Sequence, residues 1–219
     1  MTQVKSWPTA LHSFSSISSC SLDDPYKLQK IGNALSMHMT TLRQIHIDYA
    51  CCADDRFDGT MLDVSKFTAL EELTLSRWLF QGRRSLHFSE EDGRMILAPN
   101  LRRFNWTFPM RCTRCPRWKR LFGATEAAWV RDFAKFAAEQ KSSLKSIFID
   151  YRPMVHTHEV RPQHTMEPLK RVLAGYGIDM TYSVKYYLTS ADIVPMQTVW
   201  AWYHEADRGE DDWEAWNDL

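Results

Sequence analysis

The chain has 219 residues, of which 44% are hydrophobic, so it holds enough apolar side chains to fill a folded core. Lysine plus arginine and aspartate plus glutamate number 27 each, and this balance argues against nucleic acid or an anionic membrane as a partner. No run approaches eighteen apolar residues, the N-terminus lacks a signal-peptide pattern and the five cysteines are irregularly spaced, so we expect an intracellular protein, cytoplasmic or nuclear.

The first predicted elements are a weak strand, a helix and a clear strand. Residues 11–14 carry the weak strand pattern. Asp24 followed by Pro25 is a typical helix start, with a capping side chain and proline at the first helical position. Apolar residues then recur at helical spacing at Leu28, Ile31, Leu35 and Met39. Residues 40–49 read TTLRQIHIDY and predict a strand.

Two shorter strand patterns follow, at residues 70–75 and 101–106. Both place apolar residues at the first, fourth and sixth positions, as residues 42–47 do. The segment between them, residues 81–99, contains Gly82 and Gly93 and predicts a loop-rich insertion.

The second half of the chain predicts two more helices and two more strands. Thr125 is expected to cap a helix with Glu126 in its first turn. The apolar stripe of this helix consists of Trp129, Phe133, Phe136 and Ala137, and the strand that follows spans residues 142–151. A further helix over residues 166–174 carries Leu169, Val172 and Leu173, ends at Gly175 and Gly177, and leads to a last strand at residues 178–182.

These strand patterns form an internal repeat. The phrase TTLRQIHIDY of residues 40–49 returns as SSLKSIFIDY in residues 142–151, and Leu42, Leu70, Leu101 and Leu144 follow one another at intervals of 28, 31 and 43 residues. This is the strand signature of a leucine-rich repeat, with uneven spacing. We therefore predict an α/β fold: an irregular leucine-rich-repeat solenoid over residues 1–194, with a curved parallel sheet of about five to six strands and helices or loops on the convex side. Residues 195–219 are expected to form an aromatic and acidic tail.

Alternation along each strand predicts a binding stripe. If Leu42, Ile45 and Ile47 point into the core, the residues between them point outwards. The same frame applied to four strands gives Gln44, His46, Asp48, Glu72, Thr74, Ser76, Arg103, Asn105, Thr107, Ser146, Phe148 and Asp150. We expect these side chains to be exposed, and their mixed polar character suits a protein surface better than a phosphate backbone.

The chain resembles the irregular leucine-rich-repeat halves of fungal F-box-type proteins. The resemblance rests on the phrases TLRQIHIDY, LEELTLS and APNLRRFNW, together with Trp129 and Phe133 before the Leu144 strand, and covers about residues 11–182. In that family the repeats hold a substrate and an N-terminal F-box holds the adaptor of a cullin-type ubiquitin ligase. Because only ten residues precede Leu11, the resemblance implies a substrate-recognition half without an F-box.

The predicted function is therefore non-enzymatic recognition of a protein partner, without a cofactor, in which ubiquitin-ligase components take part only indirectly. His46 and Asp48 lie on one strand, but a catalytic base needs a nucleophile within hydrogen-bond reach, and nothing in the sequence places one there.

Two alternatives remain open. Cys112 and Cys115 have the spacing of half a zinc site, which a small metal-binding protein or enzyme could complete with a later histidine. The basic segment from Arg111 to Arg120 would instead suit nucleic acid.

Overall fold

A computed structural model describes residues 10–18, 28–49, 61–80, 86–108, 122–151 and 162–184 of the chain. These residues form six strands: β1 (Ser13–Ser18), β2 (Gln44–Tyr49), β3 (Glu72–Ser76), β4 (Arg103–Phe108), β5 (Ser146–Tyr151) and β6 (Asp179–Val184). They also form four α-helices: α1 (Leu28–Leu35), α2 (Glu90–Ile96), α3 (Ala124–Glu139) and α4 (Pro162–Gly175). Two short 3₁₀ helices, Ser36–His38 and Arg77–Phe80, follow α1 and β3.

The six strands make one open parallel sheet whose strand order, β1 to β6, is the order of the chain. The prediction of an α/β fold with a parallel sheet of five to six strands is therefore confirmed. Every strand pattern read from the sequence corresponds to a strand, although β1 and β6 extend beyond the predicted residues 11–14 and 178–182.

One face of the sheet builds the hydrophobic core. The leucine that opens each repeat phrase is buried in all four copies, and so are the apolar residues that alternate after it, such as Ile45 and Ile47. Buried residues from α1, α2, α3 and α4 belong to the same core, so the helices pack on this face. At its centre the Trp106 and Trp129 rings lie 4.9 Å apart, and Trp129 stacks on Phe133 with ring centres 5.3 Å apart.

Repeated hydrogen bonds before the strands hold successive units in register. The carbonyl groups of His12, Arg43, Glu71 and Arg102 each accept two backbone N–H groups from the next unit along the chain. Side chains repeat a contact as well: Asn100 Nδ2 donates to the Thr68 carbonyl at 2.7 Å, and Ser143 Oγ to the Pro99 carbonyl at 2.9 Å. Asn100 and Ser143 both stand immediately before the leucine of their phrase, so residues at equivalent positions make equivalent hydrogen bonds to the preceding unit.

Helix α3 begins one residue after Gly123, its N-cap, so the predicted cap Thr125 is wrong. Glu126 causes the earlier start, because its carboxylate accepts a hydrogen bond from the Gly123 backbone N–H at 3.2 Å. The predicted apolar stripe of α3, from Trp129 to Ala137, is buried as expected. Asp24 and Pro25, the predicted start of the first helix, lie outside the described residues.

Helix α2 corrects the prediction of a loop-rich insertion over residues 81–99. Ser89 caps this helix by accepting a hydrogen bond from the Asp92 backbone N–H at 3.1 Å. Gly93, which suggested a loop, lies within the helix because its missing side chain lets the Phe136 ring approach the backbone.

Helix α4 was predicted, and its apolar residues Leu169 and Leu173 are buried. Val172, which was placed on the same stripe, is instead exposed, because Met166, Leu169 and Leu173 already define the face that contacts the core. Gly177 follows the helix with a φ of 75°, the left-handed conformation that favours glycine at a helix end.

Candidate functional site

The outward-facing residues of the six strands form what we call the sheet face, in three rows that cross the strands. The strand register places equivalent positions side by side. The first row is Ser13, Gln44, Glu72, Arg103, Ser146 and Asp179; the second is Ser15, His46, Thr74, Asn105, Phe148 and Thr181; the third is Ile17, Asp48, Ser76, Thr107, Asp150 and Ser183. All twelve residues of the predicted stripe therefore lie together on this face.

The centre of the sheet face is buried, which corrects the expectation that the whole stripe is exposed. Ser76 is 0% exposed, and Thr74, Asn105, Thr107 and Asp150 are also buried. The other seven predicted residues are exposed or half-buried: Gln44, His46, Asp48, Glu72, Arg103, Ser146 and Phe148. The five buried residues lie on β3, β4 and β5, the strands on one side of β2.

Three residues of the first two rows form a hydrogen-bonded group across β3 and β4. Asn105 Nδ2 donates to Glu72 Oε1 at 2.6 Å and to Thr74 Oγ1 at 2.9 Å. A carboxylate can only accept, so the side-chain amide of Asn105 must turn its nitrogen towards Glu72. The Asn105 Oδ1 atom is buried, and no residue that the structure describes donates to it.

A second group joins β2 and β4 in the third row. Thr107 Oγ1 donates to Asp48 Oδ1 at 3.4 Å, and Asp48 Oδ2 lies 4.0 Å from His46 Nε2. Within the described part of the chain, His46 Nε2 makes no hydrogen bond to a hydroxyl or thiol. These contacts run within β2 and from β2 across β3 to β4, and they do not include a nucleophile that His46 could activate.

The sheet face is acidic. Its carboxylates are Asp48, Glu72, Asp150 and Asp179, whereas its cation is Arg103. When histidine is counted as neutral, this face therefore carries a net negative charge. Just before β2, β4 and β5 stand the exposed basic residues Arg43, Arg102 and Lys145, while Glu71 precedes β3 and lies 4.0 Å from Arg43. Positive charge therefore prevails before these strands and negative charge on the sheet face, although the chain as a whole is neutral.

The prediction from sequence missed the two ends of the sheet face. β1 adds the serines at positions 13 and 15 and the 73% exposed side chain of Ile17, and β6 adds Asp179, Thr181 and Ser183. The sequence contains the information needed to find these positions, because it predicts strands at residues 11–14 and 178–182. Extending the alternation of β2 and β5 to their neighbours would have identified these positions.

The remaining predicted features give no site within the described residues. Cys112, Cys115 and the segment from Arg111 to Arg120 lie outside them, as do residues 185–219. Among the described residues, no group of three His, Cys, Asp or Glu side chains could hold a metal ion, and no helix is long and apolar enough to cross a membrane. A largely apolar depression of about 210 Å³ lies between β1 and α1, beside Phe14 and Ile31.

Comparisons with protein-family profiles, with curated proteins and with solved structures found no match to this chain.

Proposed function

We propose that the chain is an irregular leucine-rich-repeat solenoid that recognises a protein partner through the sheet face, without catalysis. The observation that carries the proposal is the register of the six strands, which brings equivalent outward positions of successive units into continuous rows. A stacked array of this kind offers an extended surface in place of a deep pocket. Its mixed polar, aromatic and charged residues suit a specific protein interface.

The biological role we propose is that of the substrate-binding half of a fungal F-box-type protein, in ubiquitin-ligase substrate recruitment. It is supported by the repeat phrases around Leu42, Leu70 and Leu101, whose leucines are all buried two residues before successive strands begin. Specificity in such a protein belongs to the exposed residues of the rows and not to the fold. We accordingly propose that the partner is a protein and that ligase components are reached only indirectly.

Site-specific photo-crosslinking tests the use of the sheet face. Phe148 stands half-buried in the second row, and a photoreactive phenylalanine analogue can replace it with little change in shape. Lys135, exposed on α3, provides the control position away from the sheet face. We expect a discrete partner adduct from position 148 in host-cell extract and none from position 135. Equal labelling from both positions would contradict a binding role for this face.

A second experiment separates recognition from ligase recruitment. Affinity purification of the full chain, followed by detection of the ubiquitin-ligase adaptor and cullin, asks whether these components accompany the captured partner. Their recovery together with the partner supports the recruitment role. Recovery of the partner alone leaves recognition as the function and removes the ligase assignment.

A further inference from the structure

The acidic residues of the first row stand at two places separated by other strands. Glu72 lies on β3 and Asp179 on β6, with Arg103 and Ser146 on the strands between them. Asp179 is exposed and Glu72 is half-buried, so solvent reaches both side chains. A partner that lies across the strands can therefore meet two negative charges in one row.

Asn105 indicates which chemical group fits beside Glu72. Its amide nitrogen is occupied by Glu72 and Thr74, and its Oδ1 atom is a buried acceptor to which no described residue donates. Asn105 is only 8% exposed, and buried carbonyl groups in folded proteins normally receive a hydrogen bond. Glu72 thus offers an acceptor that solvent reaches, and beside it the buried Asn105 Oδ1 is a second acceptor that a donor reaches once the side chains around it shift. A guanidinium group, which is cationic and carries several N–H donors in one plane, matches this arrangement better than a single ammonium group.

The distance between the two acidic positions determines how far apart two cationic residues of the partner must be. Neighbouring strands lie about 4.8 Å apart, so Glu72 and Asp179, three strands apart, are separated by about 14 Å. In an extended peptide, residues four positions apart project to the same side and lie about 13 Å apart. A cation two positions away would stand about 7 Å along the row, close to Arg103, and would be repelled.

We propose that the sheet face binds an extended, arginine-bearing segment of a partner protein, with one arginine at Glu72 and Asn105 and a second, four residues away, at Asp179. This inference rests on the proposed function and specifies the chemistry of the partner. The Arg103 side chain between the two positions disfavours further basic residues in the segment, so it contributes to the choice of spacing.

Peptide probes and the full chain test the proposal. The first probe is a nine-residue serine peptide with arginines at positions 3 and 7, labelled for fluorescence anisotropy. Its counterparts carry arginines at positions 3 and 5, lysines at positions 3 and 7, or glutamates at positions 3 and 7. We expect the first probe to bind most tightly, the lysine probe about threefold or more weakly, and the glutamate probe not at all. Binding should weaken as salt is added.

Charge-neutralising variants locate the contacts. Glu72→Gln keeps an acceptor for Asn105 but removes the charge, and we expect about a tenfold loss of affinity; Asp179→Asn should give a smaller loss. Glu91→Gln makes the same charge change at an exposed residue of α2, away from the sheet face, and should leave binding unchanged. Arg103→Gln should instead increase the affinity severalfold, a gain that unfolding cannot produce.

Equal binding of all probes, or a loss in Glu91→Gln equal to that in Glu72→Gln, would overturn the inference. Its failure is distinct from failure of the proposed function. If position 148 captures a partner while the arginine probe does not bind, the sheet face recognises proteins of another chemistry. If position 148 captures no partner and the arginine probe does not bind, both proposals are wrong.

Discussion

Arg77 and Glu126 form an ion pair in the interior, between the end of β3 and the start of α3. Arg77 Nε and Nη2 lie 3.1 and 3.0 Å from Glu126 Oε1, and the two side chains are only 8% and 6% exposed. The other oxygen of Glu126 accepts the Gly123 N–H, so one carboxylate serves both the ion pair and the helix cap. In a buried pair of this kind each charge compensates the other, so removing one residue leaves the other charge buried and uncompensated.

Replacing Arg77 with Met should therefore destabilise the protein by about 3–5 kcal/mol, because the Glu126 charge stays buried without its cation. The measurement is the free energy of unfolding from urea titration. Adding Glu126→Gln to Arg77→Met should restore part of the loss, since the amide carries no charge but still accepts a hydrogen bond.

The matched control for this pair is Arg94→Met, which breaks the contact of 2.6 Å between the exposed side chains of Arg94 and Glu90 on α2. It should cost less than about 1 kcal/mol, because water screens exposed pairs. Similar losses for Arg77→Met and Arg94→Met would show that burial does not govern the energetics of the interior pair.

At the scale of the elements, the packing of α2 against α3 depends on a single glycine. A Cβ atom on Gly93 would lie 2.5 Å from Phe136 Cδ1 and 2.9 Å from Phe88 Cζ. Gly175, in the last turn of α4, has no atom within 4 Å of the corresponding position apart from its chain neighbours and the backbone of its own helix. The two glycines thus serve as a matched pair, one at a close approach and one in open space.

We expect Gly93→Ala to destabilise the protein by about 1–3 kcal/mol, because the added methyl forces the Phe136 ring away. Gly175→Ala should be neutral or slightly stabilising, because alanine restricts the unfolded chain. Thermal unfolding of both variants provides the comparison. An unchanged melting temperature in Gly93→Ala would contradict the close approach of α2 to α3.

The link between α4 and β6 should depend on pH. The Tyr182 hydroxyl donates to Glu167 Oε1 at 2.6 Å, and this hydrogen bond, with desolvation and the charge of Glu167, raises the pKa of Tyr182 above 10.0. The folded protein therefore holds this proton more tightly than the unfolded chain does. Its contribution to stability is complete below about pH 10 and is lost as pH rises through the raised pKa.

Unfolding free energies of the wild type and Tyr182→Phe, measured from about pH 8 to 11, should converge at the upper end. The difference should stay well below about 1 kcal/mol, because the pair is exposed to water. Glu167→Ala serves as the control, since it removes both the acceptor and the charge and should remove most of the pH dependence. A constant difference between wild type and Tyr182→Phe across this range would argue against the contact.

The elements differ in how far the sequence predicts them. The strands were predictable because an apolar residue at the first, fourth and sixth positions is a local pattern, repeated in register. Helix α2 was not, because it has only seven residues and contains Gly93, whose role appears only when Phe136 is in place. The start of α3 was misplaced by two residues. Its N-cap, Gly123, has no capping side chain to reveal it in the sequence, and the Glu126 carboxylate instead accepts the Gly123 backbone N–H.

The candidate site was predictable in its positions but not in its accessibility. Alternation alone placed Asn105 and Thr107 on the outward side of β4, since side chains along a strand alternate. Their burial is a tertiary property: the side chains they contact, such as Glu72 and Thr74 for Asn105 and Asp48 for Thr107, lie some thirty or more residues away in the chain. A local pattern contains no information about such distant neighbours.

For the molecule as a whole, the linear strand order predicts a gradient of stability. β2 to β5 each pair with a strand on both sides, whereas β1 and β6 pair on one side among the described residues. Arrays in which each unit contacts only its neighbours lose structure first at their ends.

Hydrogen exchange should therefore be slowest in β3 and β4 and at least about tenfold faster in β1. Mass spectrometry of peptides from each strand under native conditions provides the measurement. Uniform exchange across all six strands would show that the sheet opens as one cooperative unit.

The strands are aligned residue for residue although the intervals between their leucines vary from 28 to 43 residues. Length variation is therefore absorbed between the strands and not within them. One residue inserted into β3 would turn Glu72 and Thr74 towards the core and expose Leu73, because side chains alternate with a period of two. The same insertion between Phe80 and Leu86 would leave all three rows unchanged. Tolerance to insertions and deletions should thus alternate along this chain, with the strands as its intolerant segments.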